Sequence, residues 1–374
     1  MHTNRRHFLQ GVGASLLVSV LPGLSLAASA VSNRRFVLVI LRGAMDGLAA
    51  VPPYGDRELP TLRKPLLVPD ENLLKLDSFF ALHPALPQLH QCFQRKELEV
   101  FHAIATPYRE RSHFDAQNVL ETGLDHPDPG AEGWLNRCAG KLPDAAHAAM
   151  AIGQSMPKVL QGSNSVGSWT PDALPELEDS TLQRLRRLYA EDAFLGSRLE
   201  QGLQAQAIAG DKDMSAGSGR RNNNFVVLAQ AAARFLAQDN GPGIAVLEAS
   251  GWDTHANQGA TQGQLAQRLA ELDNGLAELR SGLGAWWGTT QVLVVTEFGR
   301  TVAMNGTNGT DHGTASVAFR LGGSKGGLQQ GGSVIAKWPG LLSSNLQDGR
   351  DLRPTRDLRE LFAGAENFLL KGGA

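Results

Sequence analysis

Apolar positions along this chain fall into short β-branched runs separated by longer stretches of helical spacing, the alternation expected of strands joined by helical crossovers. Arg35–Leu41 (RFVLVIL), Leu98–Ala103, His147–Ile152, Ile244–Glu248 (IAVLE), Gln291–Thr296 (QVLVVT) and Val317–Leu321 are too short for helices and predict strands. The run Gln291–Thr296 has no polar face, as in a parallel sheet covered on both sides. Leu82, Leu86, Leu89 and Phe93 mark a helix over Leu82–Arg95, and Ser180–Gln206 and Phe225–Gln238 read as two more. Leu265, Leu269, Leu272, Leu276, Leu279 and Leu283 alternate by four and three, a stripe that predicts a crossover helix packed on the sheet rather than a coiled coil. Asp351–Asp357, with Pro354 near its start, predicts the opening of a terminal helix, whereas Gly364–Ala374 shows little pattern. Residues 52–80 lack periodicity and read as an irregular surface excursion. The polar stretch Asp211–Asn224 (DKDMSAGSGRRNNN) reads as a flexible insertion within one domain spanning 31–374.

The chemistry-bearing residues follow the predicted strands, where ligands bind in an open α/β sheet. Asp46 sits in Arg42-Gly43-Ala44-Met45-Asp46-Gly47, one turn beyond the first strand, a place suited to a metal carboxylate or simply to a turn. Arg111-Ser112-His113-Phe114-Asp115 lies beyond the second; Ser112 and Asp115 form a capping pair for the helix through Leu120, and Ser112 is equally placed as a nucleophile at a helix start. Asp253 and His255, two apart on an extended segment, point to one side and can reach one ion. Glu297 and Arg300 follow Thr296 directly, and the Gly/Asn/Thr loop Asn305–Thr310 returns Asp311 and His312 to the same place.

Composition narrows the choices. The chain has 374 residues with 35 basic against 37 acidic side chains, so no long-range field advertises nucleic acid or an anionic membrane. Only Cys92 and Cys138 are present, without CxxC, and both read as structural. Asn4-Arg5-Arg6-His7-Phe8-Leu9-Gln10, the apolar region Gly11–Leu26 and the small-residue site Ala28-Ser29-Ala30 resemble a twin-arginine signal peptide over residues 1–30. That predicts handling by the twin-arginine translocase, a periplasmic location and, with no other stretch of about 20 apolar residues, no membrane span after cleavage.

LRGAMDG (41–47), SHFDAQ with ETG (112–123), GWDTH (251–255), TEFGRT (296–301), TDHG (310–313), WPGL (338–341) and DLRPTRD (351–357) together resemble the bacterial domain of unknown function 1501 family, in order and over nearly the whole chain. That family is similar in fold to the alkaline phosphatase and sulfatase superfamily, so the resemblance implies a three-layer α/β/α sandwich with a mostly parallel sheet. It further implies Asp46 as a bridging carboxylate, Ser112 as the nucleophile, Asp253, His255 and His312 as ligands, and Glu297 as the acidic half of an acid-histidine pair. Phe298 stands where the superfamily usually has histidine, which leaves two metals, one or none open. On this basis the expected activity is metal-dependent hydrolysis of small anionic phosphate or sulfate esters, with zinc, manganese, magnesium or calcium as the divalent cation. Arg42, Arg300 and Arg111 would hold the anion, Asp311 would complete the metal set, and His113 and Asp115 would contact substrate. The competing expectation is a non-catalytic binding or assembly protein that keeps the fold and works with a protein partner encoded nearby.

Overall fold

A computed structural model describes residues 33–142, 148–171, 179–189, 192–209 and 225–370. The predicted signal peptide, the insertion at 211–224 and His147 lie outside these residues. Nine strands form the principal sheet: β1 (Arg35–Arg42), β2 (Leu98–Ala105), β3 (Ala149–Ile152), β4 (Gly167–Trp169), β5 (Ile244–Ser250), β6 (Thr290–Thr296), β7 (Ser316–Gly322), β8 (Ser333–Ile335) and β9 (Arg356–Asp357). They lie in the order β8-β2-β7-β6-β1-β5-β3-β4, with β9 also paired to β2. The sheet is mostly parallel; β7 alone among these strands runs antiparallel to both of its neighbours. β1 lies between β5 and β6, parallel to each, with Leu41 opposite Thr296 and Arg42 opposite Ser250. Their carboxyl ends therefore coincide at one edge.

Alternation along β1 divides the core between the two faces of the sheet. Val37, Val39 and Leu41 pack with helices α1 (Pro87–Gln94), α4 (Phe225–Leu236) and α5 (Gln264–Leu283), while Phe36, Leu38 and Ile40 pack with α3 (Trp134–Ala139) and α6 (Arg359–Leu370). Helix α2 (His113–Thr122) joins the second group through Leu120. All six leucines of the predicted stripe are buried on α5, so the four-and-three spacing is the footprint of a helix on a sheet. Cys92 and Cys138 are free thiols buried in the cores of opposite faces, which is why they do not pair.

Several boundaries differ from the sequence reading. The first helix begins at Pro87 rather than Leu82, because Pro takes the first helical turn, where no N–H is needed. Ser180–Gln206 resolves into Asp179–Leu188 and Ala193–Ala209. The terminal helix starts at Arg359, not at Asp351: Asp351 is fully buried as an acceptor for Arg111 and Arg350, and Arg356–Asp357 is an edge strand. Its ordered turns continue to Leu370, where the sequence showed little pattern. The excursion at 52–80 contains a short helix, Leu59–Arg63, and a two-stranded ribbon, Leu74–Lys75 with Ala81–Leu82. Among the described residues no helix is long and apolar enough to cross a membrane.

Leu279, completely buried on α5, tests this packing. Leu279→Ala is expected to lower unfolding stability by about 2–5 kcal/mol in a denaturant titration. Leu342→Ala, at a side chain 54% exposed, should stay within about 0.5 kcal/mol; equal effects would refute the core assignment.

Candidate metal centre

At the shared carboxyl edge, three loops and one helix start deliver three imidazoles and a carboxylate to one point. His113 comes from the first turn of α2, Asp253 and His255 from the loop after β5, and His312 from the loop between β6 and β7. His312 Nε2 lies 3.0 Å from His113 Nε2 and 3.0 Å from His255 Nε2. Asp253 Oδ1 is 2.9 Å from His255 Nε2 and 3.3 Å from His312 Nε2, and Asp253 Oδ2 is 3.6 Å from His113 Nε2. The ligand atoms of His113, Asp253 and His312 all lie within 4.8 Å of one another.

The other ring nitrogens fix the tautomers. His113 Nδ1 donates to Glu297 Oε1 (2.8 Å), His255 Nδ1 to Asp311 Oδ1 (3.2 Å) and His312 Nδ1 to the Arg111 carbonyl (3.1 Å). A neutral imidazole that donates through Nδ1 presents a bare lone pair at Nε2. Three such lone pairs beside a carboxylate repel one another, and a divalent cation is the species that would satisfy all of them. The donor set therefore fits a metal, with nitrogen ligands favouring zinc or another transition ion over calcium.

The supports for these ligands are buried. Glu297 is 1% exposed and also accepts from the Gly43 N–H (2.9 Å) and Gln117 Nε2 (3.1 Å). Burial alone would raise its pKa, but these hydrogen bonds, led by that from His113, outweigh burial and hold it below the usual glutamate value. The bond to Glu297 conversely lifts His113 above the ordinary histidine value against the effect of burial. Burial and the neighbouring His113 hold His312 down. Gly43 has φ +115°, and a Cβ there would meet the Asp253 amide nitrogen at 2.7 Å, so only glycine lets the β1 loop run against the Asp253 backbone. Phe298 packs against the rings of His113 and His312, with centroids 4.9 and 5.2 Å away. In this chain the position buttresses ligands rather than supplying one.

Asp253 itself is aimed from behind. The buried Arg300 guanidinium binds it while its Nε donates to Thr310 Oγ1 (3.1 Å). Burial would raise the Asp253 pKa, but Arg300 pulls it below the usual value. Thr310 Oγ1 donates to Gln258 Oε1 (2.9 Å), and Gln258 Nε2 donates to Asp46 Oδ2 (2.7 Å). Asp46 meets Arg63 there (2.6 Å), with both side chains 1% exposed.

The structure thus brings together His113, Asp253, His255 and His312, with Glu297 and Asp311 behind them as acceptors. None of the described contacts joins Asp46 to the imidazoles; it belongs to the buried relay ending on Arg300. Ser112 is half-buried at the position before α2, and its side chain makes no capping bond, contrary to the capping pair expected with Asp115. The Tyr108 hydroxyl is the reason: it donates to Asp115 Oδ2 (3.2 Å) and engages Ser112. Arg42 is paired with Glu121 (2.7 Å) and Glu248, and Arg111 with Asp351 and Asp348 (2.7 Å each). The sequence gave no sign of Arg63, Gln258 or Thr310, and it placed His113 as a substrate contact rather than beside the other imidazoles. The recurrence of histidine after strands was the signal available for His113.

The fold and this cluster define an α/β protein carrying a histidine-rich candidate metal centre at the carboxyl edge of its sheet. The chain belongs to the family described as Protein of unknown function (DUF1501), which matches residues 105–364. It is similar to a solved protein in the alkaline phosphatase superfamily from Vibrio parahaemolyticus, at 10% identity and TM-score 0.40, over 98% of this chain and 76% of that one. It is also similar to alkaline phosphatase from the Antarctic bacterium TAB5 (11% identity, TM-score 0.38, 92% of this chain and 100% of that one). Phosphonate monoester hydrolase of Agrobacterium radiobacter is a third such structure (13% identity, TM-score 0.37, 81% and 70%). No curated protein sequence matches the chain.

Glu297→Gln keeps the shape of the support but removes the charged acceptor for His113. Zinc affinity, read by competition with a chromophoric chelator, is expected to fall by about 10–100-fold. An unchanged affinity would show that Glu297 does not orient a metal ligand.

Proposed function

We propose that this chain is an exported, metal-dependent hydrolase of phosphate or sulfate esters, with His113, Asp253, His255 and His312 holding one divalent cation. The observation that carries this reading is the convergence of three unprotonated imidazole nitrogens on the Asp253 carboxylate. When bound, the cation would supply Lewis acidity to an ester oxygen and lower the pKa of a water or hydroxyl beside it. The rest falls to the chain's own groups. Asp253 and His255, with side chains 40% and 44% exposed, leave the cluster open on their side, so substrate approaches there. Arg300 holds Asp253 in place, and Glu297, Asp311 and the Arg111 carbonyl keep the three rings oriented. Ser112, uncommitted to capping and adjacent to His113, is the side chain placed to attack as a nucleophile.

A second reading, a binding protein that retains the metal without turnover, is favoured by the arginines. Arg42, Arg111 and Arg300 are each engaged by carboxylates, so none is available as a bidentate anion clamp without giving up an ion pair. Metal analysis of the purified protein followed by a panel of aryl phosphate and sulfate esters separates the two. Stoichiometric metal with turnover supports the hydrolase, metal without turnover supports the binder, and the absence of both metal and a thermal shift on adding zinc, manganese, magnesium or calcium defeats both.

Ser112 sharpens the test. Because it makes no capping bond, Ser112→Ala should change stability by no more than about 0.5 kcal/mol. As nucleophile its loss should lower kcat by several orders of magnitude while metal content stays constant. Wild-type turnover in the variant would transfer the attack to water. The export reading has its own check: replacing Arg5 and Arg6 together by Lys should retain precursor in the cytoplasm on cell fractionation, and undiminished periplasmic protein would reject the twin-arginine route.

A further inference from the structure

A second cleft lies at the same sheet edge, where no residue of the candidate metal centre other than its neighbour Trp252 takes part. It opens between the carboxyl ends of β3 and β5 and the helices α4 and α5, with a volume of about 620 Å³. That is within the roughly 300–1,000 Å³ of small-molecule sites and far beyond the room of a single water, about 30 Å³. Crevices outside the carboxyl ends of neighbouring parallel strands are where open α/β sheets bind ligands, and β3 and β5 are such a pair.

The lining states what kind of molecule fits. Trp252 is 1% exposed, yet its indole Nε1 is buried without a hydrogen-bond partner. An indole N–H is a donor only, so the group that satisfies it must present an acceptor oxygen; a cation or a purely apolar molecule does not. Glu248 and Glu271 also line the cleft and disfavour an anion. The cationic group facing them, Arg268, is already committed to Glu271 at 2.7 Å. Ser155, whose Oγ lies 3.2 Å from Glu248 Oε2, can donate or accept, and Phe225 supplies apolar surface. A wall of interleaved donors and acceptors with paired charges and an apolar patch matches groups that both donate and accept while carrying no charge. Hydroxyls are such groups.

We propose that this cleft binds a neutral, hydroxyl-rich small molecule of the saccharide class. Binding does not depend on the hydrolase reading, although the two sites share the segment Gly251–Asp253, so an ester carried on such a molecule would have its remainder held beside the metal cluster.

The test uses the mature protein with a chelator present throughout, which keeps the metal question apart. A panel of neutral mono-, di- and trisaccharides is titrated by calorimetry and by intrinsic tryptophan fluorescence. At least one is expected to bind saturably. Trp252→Phe, which keeps a ring but removes the N–H, should weaken it about tenfold, the loss of one buried hydrogen bond. Ser155→Ala, at the rim, serves as a second variant should Trp252→Phe unfold the protein, and is expected to weaken binding in the same direction. His312→Ala should leave saccharide affinity unchanged while removing zinc binding. Failure of every saccharide to bind, or affinities untouched in both cleft variants, would overturn the proposal and leave a water-filled cleft.

Discussion

The parallel registration of β1 with β5 and β6 is the constraint from which the rest of the molecule follows. Because Leu41, Thr296 and Ser250 reach the edge of the sheet within a residue of one another, the loops that leave these strands have no choice but to share a small volume. Both faces of these strands are covered, so every backbone polar group within them is satisfied in the ladder and chemistry is displaced to the ends. The first residues beyond the strands are those that matter: Gly43, Gly251 to Asp253, and Glu297.

Electrostatics at that edge are organised by guanidinium groups working from behind. Arg300 and Arg63 are buried, and each is matched to a carboxylate and to backbone carbonyls rather than left as an isolated charge. Removing one member of such a set leaves a desolvated charge, which costs more than the pair itself contributes. The chain from Arg63 through Asp46, Gln258 and Thr310 to Arg300 consequently acts as a stiff strut ending on Asp253. The aspartate after the first strand thus influences the cluster through another residue instead of by direct contact.

Much of this was legible before the structure. The β-branched runs, the leucine stripe on α5 and the placement of Asp253, His255, Glu297 and His312 after strands all rest on periodicities of two and 3.6, which local sequence encodes. What escaped was whatever depends on partners remote in sequence. Nothing at Asp46 announces Arg63, because the excursion that carries Arg63 has no periodicity to read. Ser112 and Asp115 had the spacing of a capping pair, but a tyrosine four residues upstream of Ser112 competes for both. The antiparallel course of β7 is equally silent, since an apolar run does not declare its direction. The late start of α6 has the same origin: Asp351 is drawn into the core by Arg111, and the chain pairs as an edge strand before it can coil.

β7 has one more effect, on the order in which the molecule can assemble. By returning antiparallel, it lets the chain from Glu297 to Thr314 leave the edge and come back without a helical crossover, so His312 meets Arg300 through a short-range bridge. His113, by contrast, reaches His312 across 199 residues and Glu297 across 184. Closing separations of that size is slow relative to local contacts. One half of the cluster can therefore form with its own hairpin, while the other waits until β2 has docked on the far side of β7. A chain caught between those two events would carry histidines without their acceptors, and completion of the cluster is a marker of a finished fold.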